Sequence, residues 1–176
     1  MKKVMLLTIF AALMMISSAA VAQTATGTLT VTATVNGSIQ LVFNSDAAGV
    51  ALSSGAGTNT ATLAFGNVSA FGAISAGIVR TTTASNFTVS SAVDVQVSKT
   101  NSASANYTLK AQLGAADAVN TWQVGGVAVT NAAQSTLTAT GAYAANSNFP
   151  VAITVPFTTA SGTVISNTIN YQATAN

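Results

Sequence analysis

The chain has 176 residues, of which 49% are hydrophobic and only 5% are charged, and it contains neither cysteine nor histidine. Such a composition excludes a nucleic-acid or anionic-membrane surface, because both require clusters of cations. It also lacks the commonest general base, the thiolate nucleophile and the usual zinc ligands, so we expect no enzyme and no catalytic, cofactor-binding or metal-binding residue. Beyond residue 3, three basic side chains balance three acidic ones: Arg80, Lys99, Lys110, Asp46, Asp94 and Asp117.

Residues 1–22 have the pattern of a bacterial secretory signal peptide. Lys2 and Lys3 precede an apolar run from Val4 to Ile16, and small residues then end in Ala-Val-Ala at Ala22. The run is shorter than the roughly 20 residues of a membrane span, although a retained anchor helix is the alternative. We therefore predict export to the periplasm or cell surface, no membrane span once the signal is removed, and a single domain over residues 23–176.

A ribbon of alternating side chains follows the predicted cleavage site. Leu29, Val31, Ala33 and Val35 occupy every second position between threonines. This period of two predicts an extended strand with one apolar face. The face can complete the core of its own domain or plug a groove in a neighbouring subunit, which makes residues 23–35 a candidate donor strand.

Alternation continues through most of the remaining chain. Two glycines, Gly125 and Gly126, predict a hairpin turn, and Pro150 and Pro156 predict that the strand between them lies at an edge or is bulged, because proline cannot donate to a ladder. The pattern predicts an all-β, antiparallel β-sandwich. The further strands are expected near 39–43, 60–66, 87–99, 106–113, 122–124, 127–130, 149–159 and 162–175.

Two local patterns have a functional and an ordinary interpretation. Four matches to the N-glycosylation sequon begin at Asn36, Asn67, Asn86 and Asn106, but such matches arise by chance in a chain rich in Asn, Ser and Thr. Three aromatic residues, Trp122, Tyr143 and Tyr171, suggest a carbohydrate-stacking platform, although a single Trp more often packs in a core.

A third pattern concerns covalent crosslinking. Asp94, one of the two lysines Lys99 and Lys110, and an asparagine could build an intramolecular isopeptide bond. The ordinary interpretation is that these are solvated charges on strand faces.

The stretch "TLAFGNVSAFG" carries a family resemblance through Leu63, Phe65 and Gly66, an L-x-F-G element. With the alternating N-terminal segment and the final "NTINYQATAN", the chain resembles spore coat protein U-like domains and archaic chaperone-usher pilins. The resemblance implies an incomplete immunoglobulin-like sandwich, donor-strand exchange between subunits and a periplasmic chaperone as a partner, with no catalytic residue. The chain departs from that pattern in lacking a disulfide and a closing aromatic residue.

Two functions from different classes follow. The first is a structural subunit of a cell-surface fibre, pilus or coat, which forms a homo-oligomer or filament through strand complementation. The second is a self-contained secreted β-sandwich that acts as a binding or adhesion module, with a glycan as one candidate ligand. The low surface charge suits a subunit that associates, although a self-contained secreted domain of low charge would look similar.

Overall fold

A computed structural model describes residues 26–176. The predicted signal peptide and the first residues of the ribbon lie outside the described residues. The chain divides into residues 1–34 and a compact unit over residues 35–176. Residues 26–37 form no regular secondary structure. Within the described part of the chain there is no helix with the length and apolar character that a bilayer crossing requires.

The compact unit is all-β, which confirms the all-β, antiparallel part of the prediction. Its strands form three antiparallel sheets with the orders β1-β4-β9, β2-β3-β10-β6-β7 and β11-β5-β8. The strands are β1 (Ser38–Ser45), β2 (Val79–Thr82), β3 (Asn86–Ser91), β4 (Val93–Thr100), β5 (Tyr107–Leu113), β6 (Thr121–Val124), β7 (Val127–Val129), β8 (Ser135–Gly141), β9 (Asn146–Asn148), β10 (Val151–Pro156) and β11 (Ile169–Ala175).

Two pairs of consecutive strands, β3–β4 and β9–β10, continue from one sheet into another with only a short interruption. Only Ala92 separates β3 from β4, and only two residues separate β9 from β10. Because β4 pairs with β9 and β3 pairs with β10, the first two sheets share one long antiparallel pair. The third sheet is connected to the second at one end, where the Leu113 amide donates to the Thr130 carbonyl at 3.0 Å.

Alternation of side chains along these strands builds the core. In β5, every second residue from Tyr107 to Leu113 is buried, and β3, β4 and β10 show the same period. One core cluster is centred on the second sheet and the ends of the third. The other cluster contains Val95, Val97, Tyr107 and Leu109.

The hairpin prediction is confirmed and the proline prediction is wrong. Gly125 and Gly126 have φ angles of 57° and 79° between β6 and β7, as a type I′ turn requires. By contrast, β10 is an interior strand between β3 and β6. It tolerates its prolines because its pairing with β6 covers only residues 151–154, so that Pro150 precedes the ladder and Pro156 lies beyond β6.

Candidate functional site

The first and last strands of the compact unit face each other across a seam. β1 is hydrogen-bonded along one edge to β4, and β11 along one edge to β5. No ladder joins β1 to β11. The chain reverses direction between β4 and β5, and each of these strands is antiparallel to its partner, so β1 and β11 also run in opposite directions.

Core-facing side chains along this seam are incompletely covered. The inward residues of the interior strands are sealed from solvent, as shown by Val95, Val97 and Leu109, whose exposure is 0%. The corresponding residues of the two seam strands are only half-buried: Ile39, Leu41, Phe43, Ile169, Tyr171 and Ala173. Among residues 26–176, the two strands are therefore each one neighbour short of a closed core.

Most main-chain N–H and C=O groups on the edge of β1 that faces away from β4 have no hydrogen-bond partner among the described residues. The Phe43 amide donates to the Thr58 carbonyl at 2.8 Å, and the Phe43 carbonyl accepts from the Gly57 amide at 2.7 Å. Since alternate residues of a strand direct their N–H and C=O groups to the same edge, Ile39 and Leu41 point to this edge as well. Within the described chain, residues 57–58 thus cover the edge at Phe43 and leave the preceding stretch open.

The free edge of β11 is longer. The Thr168 carbonyl accepts from the Gly114 amide at 2.7 Å, and the Asn176 amide donates to the Asn106 carbonyl at 3.1 Å. Even-numbered residues therefore direct their main-chain groups toward β5. The odd-numbered residues of β11 direct their N–H and C=O groups into the seam. The unpaired main-chain groups of Ile39 and Leu41 in β1 also point into the seam.

Behind the seam is an open cavity of about 1630 Å³. Its walls come from β1, from residues 57–68 and from residues 161–171. Its floor is apolar and is formed by Val89, Val93, Trp122, Val151, Ile153 and Val155. These floor residues are themselves buried, and the walls include threonine, serine and asparagine residues. The cavity is therefore a candidate site for an extended segment with one apolar and one polar face.

The L-x-F-G element lies in the wall of this cavity. Leu63 and Phe65 are half-buried and pack against the larger core cluster, and Gly66 has a φ angle of 67°, which favours glycine. The predicted strand over residues 60–66 is mostly extended chain without a ladder, because only Thr62 forms a bridge, to Ser54. The element therefore covers part of the core without pairing with a sheet.

Two aromatic rings meet across the seam. The Phe43 and Tyr171 centroids are 5.0 Å apart, with the ring planes at 70°, an edge-to-face arrangement. Burial raises the pKa of the Tyr171 hydroxyl well above its usual range. This ring pair therefore bridges the seam.

Side chains of the N-terminal ribbon are exposed. Leu29 is 89% exposed, Val31 is 80% exposed and Val35 is 72% exposed. Ala33 is also exposed. The ribbon therefore presents a row of uncovered apolar side chains, and whether they act as donor-strand plugs stays a prediction.

The three aromatic residues of the predicted carbohydrate platform do not share a surface. Trp122 is buried, with Nε1 donating to the Asp117 carboxylate at 2.8 Å, whereas Tyr171 lies in the seam. Tyr143 packs on Tyr107, and Lys99 Nζ lies 4.9 Å from its ring centroid. No stacking platform results from this arrangement.

The structure also separates the residues proposed for an isopeptide bond. Asp94 and Lys99 are five positions apart on β4, so their side chains lie on opposite faces. Lys110 is on β5 in another sheet. Asp94 instead accepts from the Asn148 amide at 3.3 Å, and the same amide donates to Asp46 at 2.7 Å. The sequence spacing did not predict that Asp46 and Asp94 accept hydrogen bonds from the same amide.

Asp117 holds the loop before β6. Burial acts to raise the pKa of its carboxyl, but hydrogen bonds from Asn120, Trp122 and Val119 outweigh that effect and lower the pKa to about 2. Among residues 26–176, no three acidic, histidine or cysteine side chains are grouped as a metal site would need. Asp117 is therefore a structural carboxylate that orients the buried Trp122.

Comparison of the chain with protein-family models, with curated proteins and with solved structures found no match. The chain is thus characterised by its own geometry: an all-β unit with an open apolar seam, preceded by an exposed apolar ribbon.

Proposed function

We propose that the protein is a structural subunit of a cell-surface fibre, pilus or coat, and that it assembles by β-strand complementation. The fold in this proposal is an incomplete immunoglobulin-like sandwich, in which the seam between β1 and β11 is the place of the missing strand. The observation that carries the proposal is the coincidence there of half-buried core side chains and unpaired main-chain groups on both flanking strands. An inserted strand satisfies both needs at once.

The ribbon of a second copy is the proposed insert. Burying Leu29, Val31 and Val35 contributes roughly 1.5–3 kcal/mol each, or about 5–9 kcal/mol in total. Association costs roughly 4–15 kcal/mol, so the plugs alone barely offset it. Main-chain pairing with β11 and β1, and coverage of the existing half-buried residues, supply the remainder.

A subunit could in principle fill its own seam by folding the ribbon back at Asn36-Gly37. A two-residue hairpin of this kind needs a positive φ at both positions for type I′, or at the first for type II′. Neither Asn36 nor Gly37 has a positive φ angle. This backbone favours donation to a neighbour over a hairpin within the chain.

Repetition of the contact produces a filament. The ribbon and the seam are different surfaces, so the contact is head-to-tail and need not close into a ring. The balanced, sparse charge of the mature chain offers little electrostatic repulsion between subunits. We expect the fibre to be stable in mild detergent, because dissociation requires a whole strand to leave.

Electron microscopy and detergent gels of the processed chain test this proposal. The informative variant replaces Leu29, Val31 and Val35 with threonine, and the matched control replaces Thr30, Thr32 and Thr34 with serine. We expect fibres and an oligomer ladder from the native chain and the control, and monomers from the plug variant. A plug variant that still forms the same ladder would contradict the proposal, and so would a native chain that remains monomeric at all concentrations.

A further inference from the structure

We propose that the incoming ribbon lies antiparallel to β11 in one register, in which Ala33 is opposite Tyr171. This inference rests on the proposed function and specifies its geometry. In this register Val31 is opposite Ala173, Leu29 is opposite Ala175 and Val35 is opposite Ile169. Ala33 is then the residue that determines which register is accepted.

The strand direction follows from the two edges of the seam. Because β1 and β11 run in opposite directions, an inserted strand is antiparallel to only one of them. The open edge of β1 ends at Phe43, which is already bonded to residues 57–58. β11 offers its whole length of 7 residues, and antiparallel pairing is the more stable kind, so the ribbon aligns antiparallel to the longer edge.

The register follows from side-chain size. The Phe43 and Tyr171 rings already touch beneath the path of the inserted strand, so only a small side chain fits above them. Ala33 is the smallest of the four plugs. On the side toward the end of β11, the facing side chains are alanines, which leaves room for the larger Val31 and Leu29, as interdigitating cores require.

The lengths and the outer faces agree with this alignment. The ribbon from Leu29 to Val35 has as many positions as β11, and each spans about 20 Å at roughly 3.3 Å per residue. The outward threonines of the ribbon then lie opposite the outward polar residues of β11, Asn170, Gln172 and Thr174. A shift by two residues in one direction would force Val31 onto the ring pair, and a larger shift would force Leu29 there.

Engineered cysteine pairs can read the register directly, because the native chain has no cysteine. Thr32 lies opposite Gln172 in the proposed alignment. The even-numbered residues of β11 face β5 with their main chain, so this is a non-hydrogen-bonded pair, with Cα atoms about 4.5 Å apart and within disulfide range. Three residues on the exposed outer face of β11 serve as matched acceptors: Gln172, Asn170 and Thr174.

The experiment mixes full-length T32C subunits with size-tagged subunits carrying Q172C, N170C or T174C, then oxidises them mildly during assembly. We expect the T32C–Q172C heterodimer to exceed the other two by about tenfold, since neighbouring positions lie beyond disulfide reach. If the heterodimer with N170C or T174C forms in the highest yield, the register is wrong and the proposed function stands. Absence of every heterodimer, or a closed monomer from the T32C/Q172C double variant, would overturn both.

A second measurement tests the role of Ala33 itself. The ribbon is exposed in the unassembled chain, so A33L leaves the folded unit unchanged. We expect A33L to slow assembly by about tenfold or more because it overpacks the ring pair, and V31L to change it by less than about threefold. The Y171L receptor should restore assembly with A33L donors. Equal effects of A33L and V31L would contradict the assignment of Ala33.

Discussion

The open seam predicts that two leucines in the core make very different contributions to stability before assembly. Leu109 is fully buried in β5, whereas Leu41 is half-buried in β1. Replacing Leu109 with alanine should lower the free energy of unfolding by about 3–5 kcal/mol through lost transfer energy and a cavity. Replacing Leu41 should lower it by only about 1–2 kcal/mol, because part of that side chain already contacts water.

Urea unfolding of a monomeric background measures the difference. Under the proposed function, the plug variant with threonine at 29, 31 and 35 provides that background, and a synthetic peptide covering residues 23–37 supplies the proposed donor strand. Without peptide, L109A should lower the urea midpoint by at least about 1 M and L41A by about 0.5 M. With saturating peptide, the cost of L41A should rise toward that of L109A, because Leu41 is then covered on both sides.

Two outcomes would refute this reasoning. If L41A is as destabilising as L109A without peptide, then the seam is closed in the unassembled chain. If the peptide raises the midpoint of the parent but leaves the cost of L41A unchanged, then it binds somewhere other than beside β1. A control peptide with plug and threonine positions exchanged has the same composition and the opposite face, and it should not bind.

Three further predictions concern the body of the fold. A Cβ on Gly141 would overlap Cζ of the buried Tyr107, so G141A should lower the melting temperature by roughly 3–10 °C through overpacking. An unchanged melting curve would contradict this packing. Gly125 and Gly126 both have positive φ, but only the Cβ at Gly125 would meet Phe149, at 2.9 Å, so G125A should destabilise more than G126A in the same melts, and the reverse order would count against the turn geometry. Since the pKa of Asp117 is lowered to about 2 in the folded chain, its stabilising contribution is present above the unfolded pKa near 4 and is lost as the pH falls toward 2; D117N should weaken that loss in urea midpoints measured between pH 7 and pH 2.5.

Sequence alone predicted the elements whose alternation is complete. β5 was predicted because its inward residues are all apolar or aromatic, and the turn before β7 because two consecutive glycines allow positive φ. β2 and β8 were missed, since "VRTT" and "STLTATG" contain few apolar residues and owe their strand form to pairing with β3 and β5. Intrinsic β propensity is weak enough for such neighbours to decide the conformation.

Of the candidate site, the sequence alone predicted only the proposed donor strand. The ribbon is a continuous stretch in which apolar residues recur at every second position, and this local pattern is recognisable from the sequence alone. The cavity behind the seam combines residues as distant in sequence as Val89, Trp122 and Ile153, and no local pattern brings them together. The sequence also does not predict the contact between Phe43 and Tyr171, because these residues belong to the first and last strands and meet only in the folded chain.

The distribution of charge supports the proposal that another strand covers this seam. Folded proteins commonly protect exposed strand edges with lysine, with proline or with a covering loop. Arg80 on the edge strand β2 donates to the carbonyls of Ser69 and Gly72 and so holds a loop against that strand. Lys99 and Lys110 lie on β4 and β5, beside the seam strands. Among the described residues, β1 and β11 carry no charge, and only residues 57–58 cover the open edge of β1, at Phe43. The remainder of both edges lacks these defences, which supports the proposed insertion of a strand.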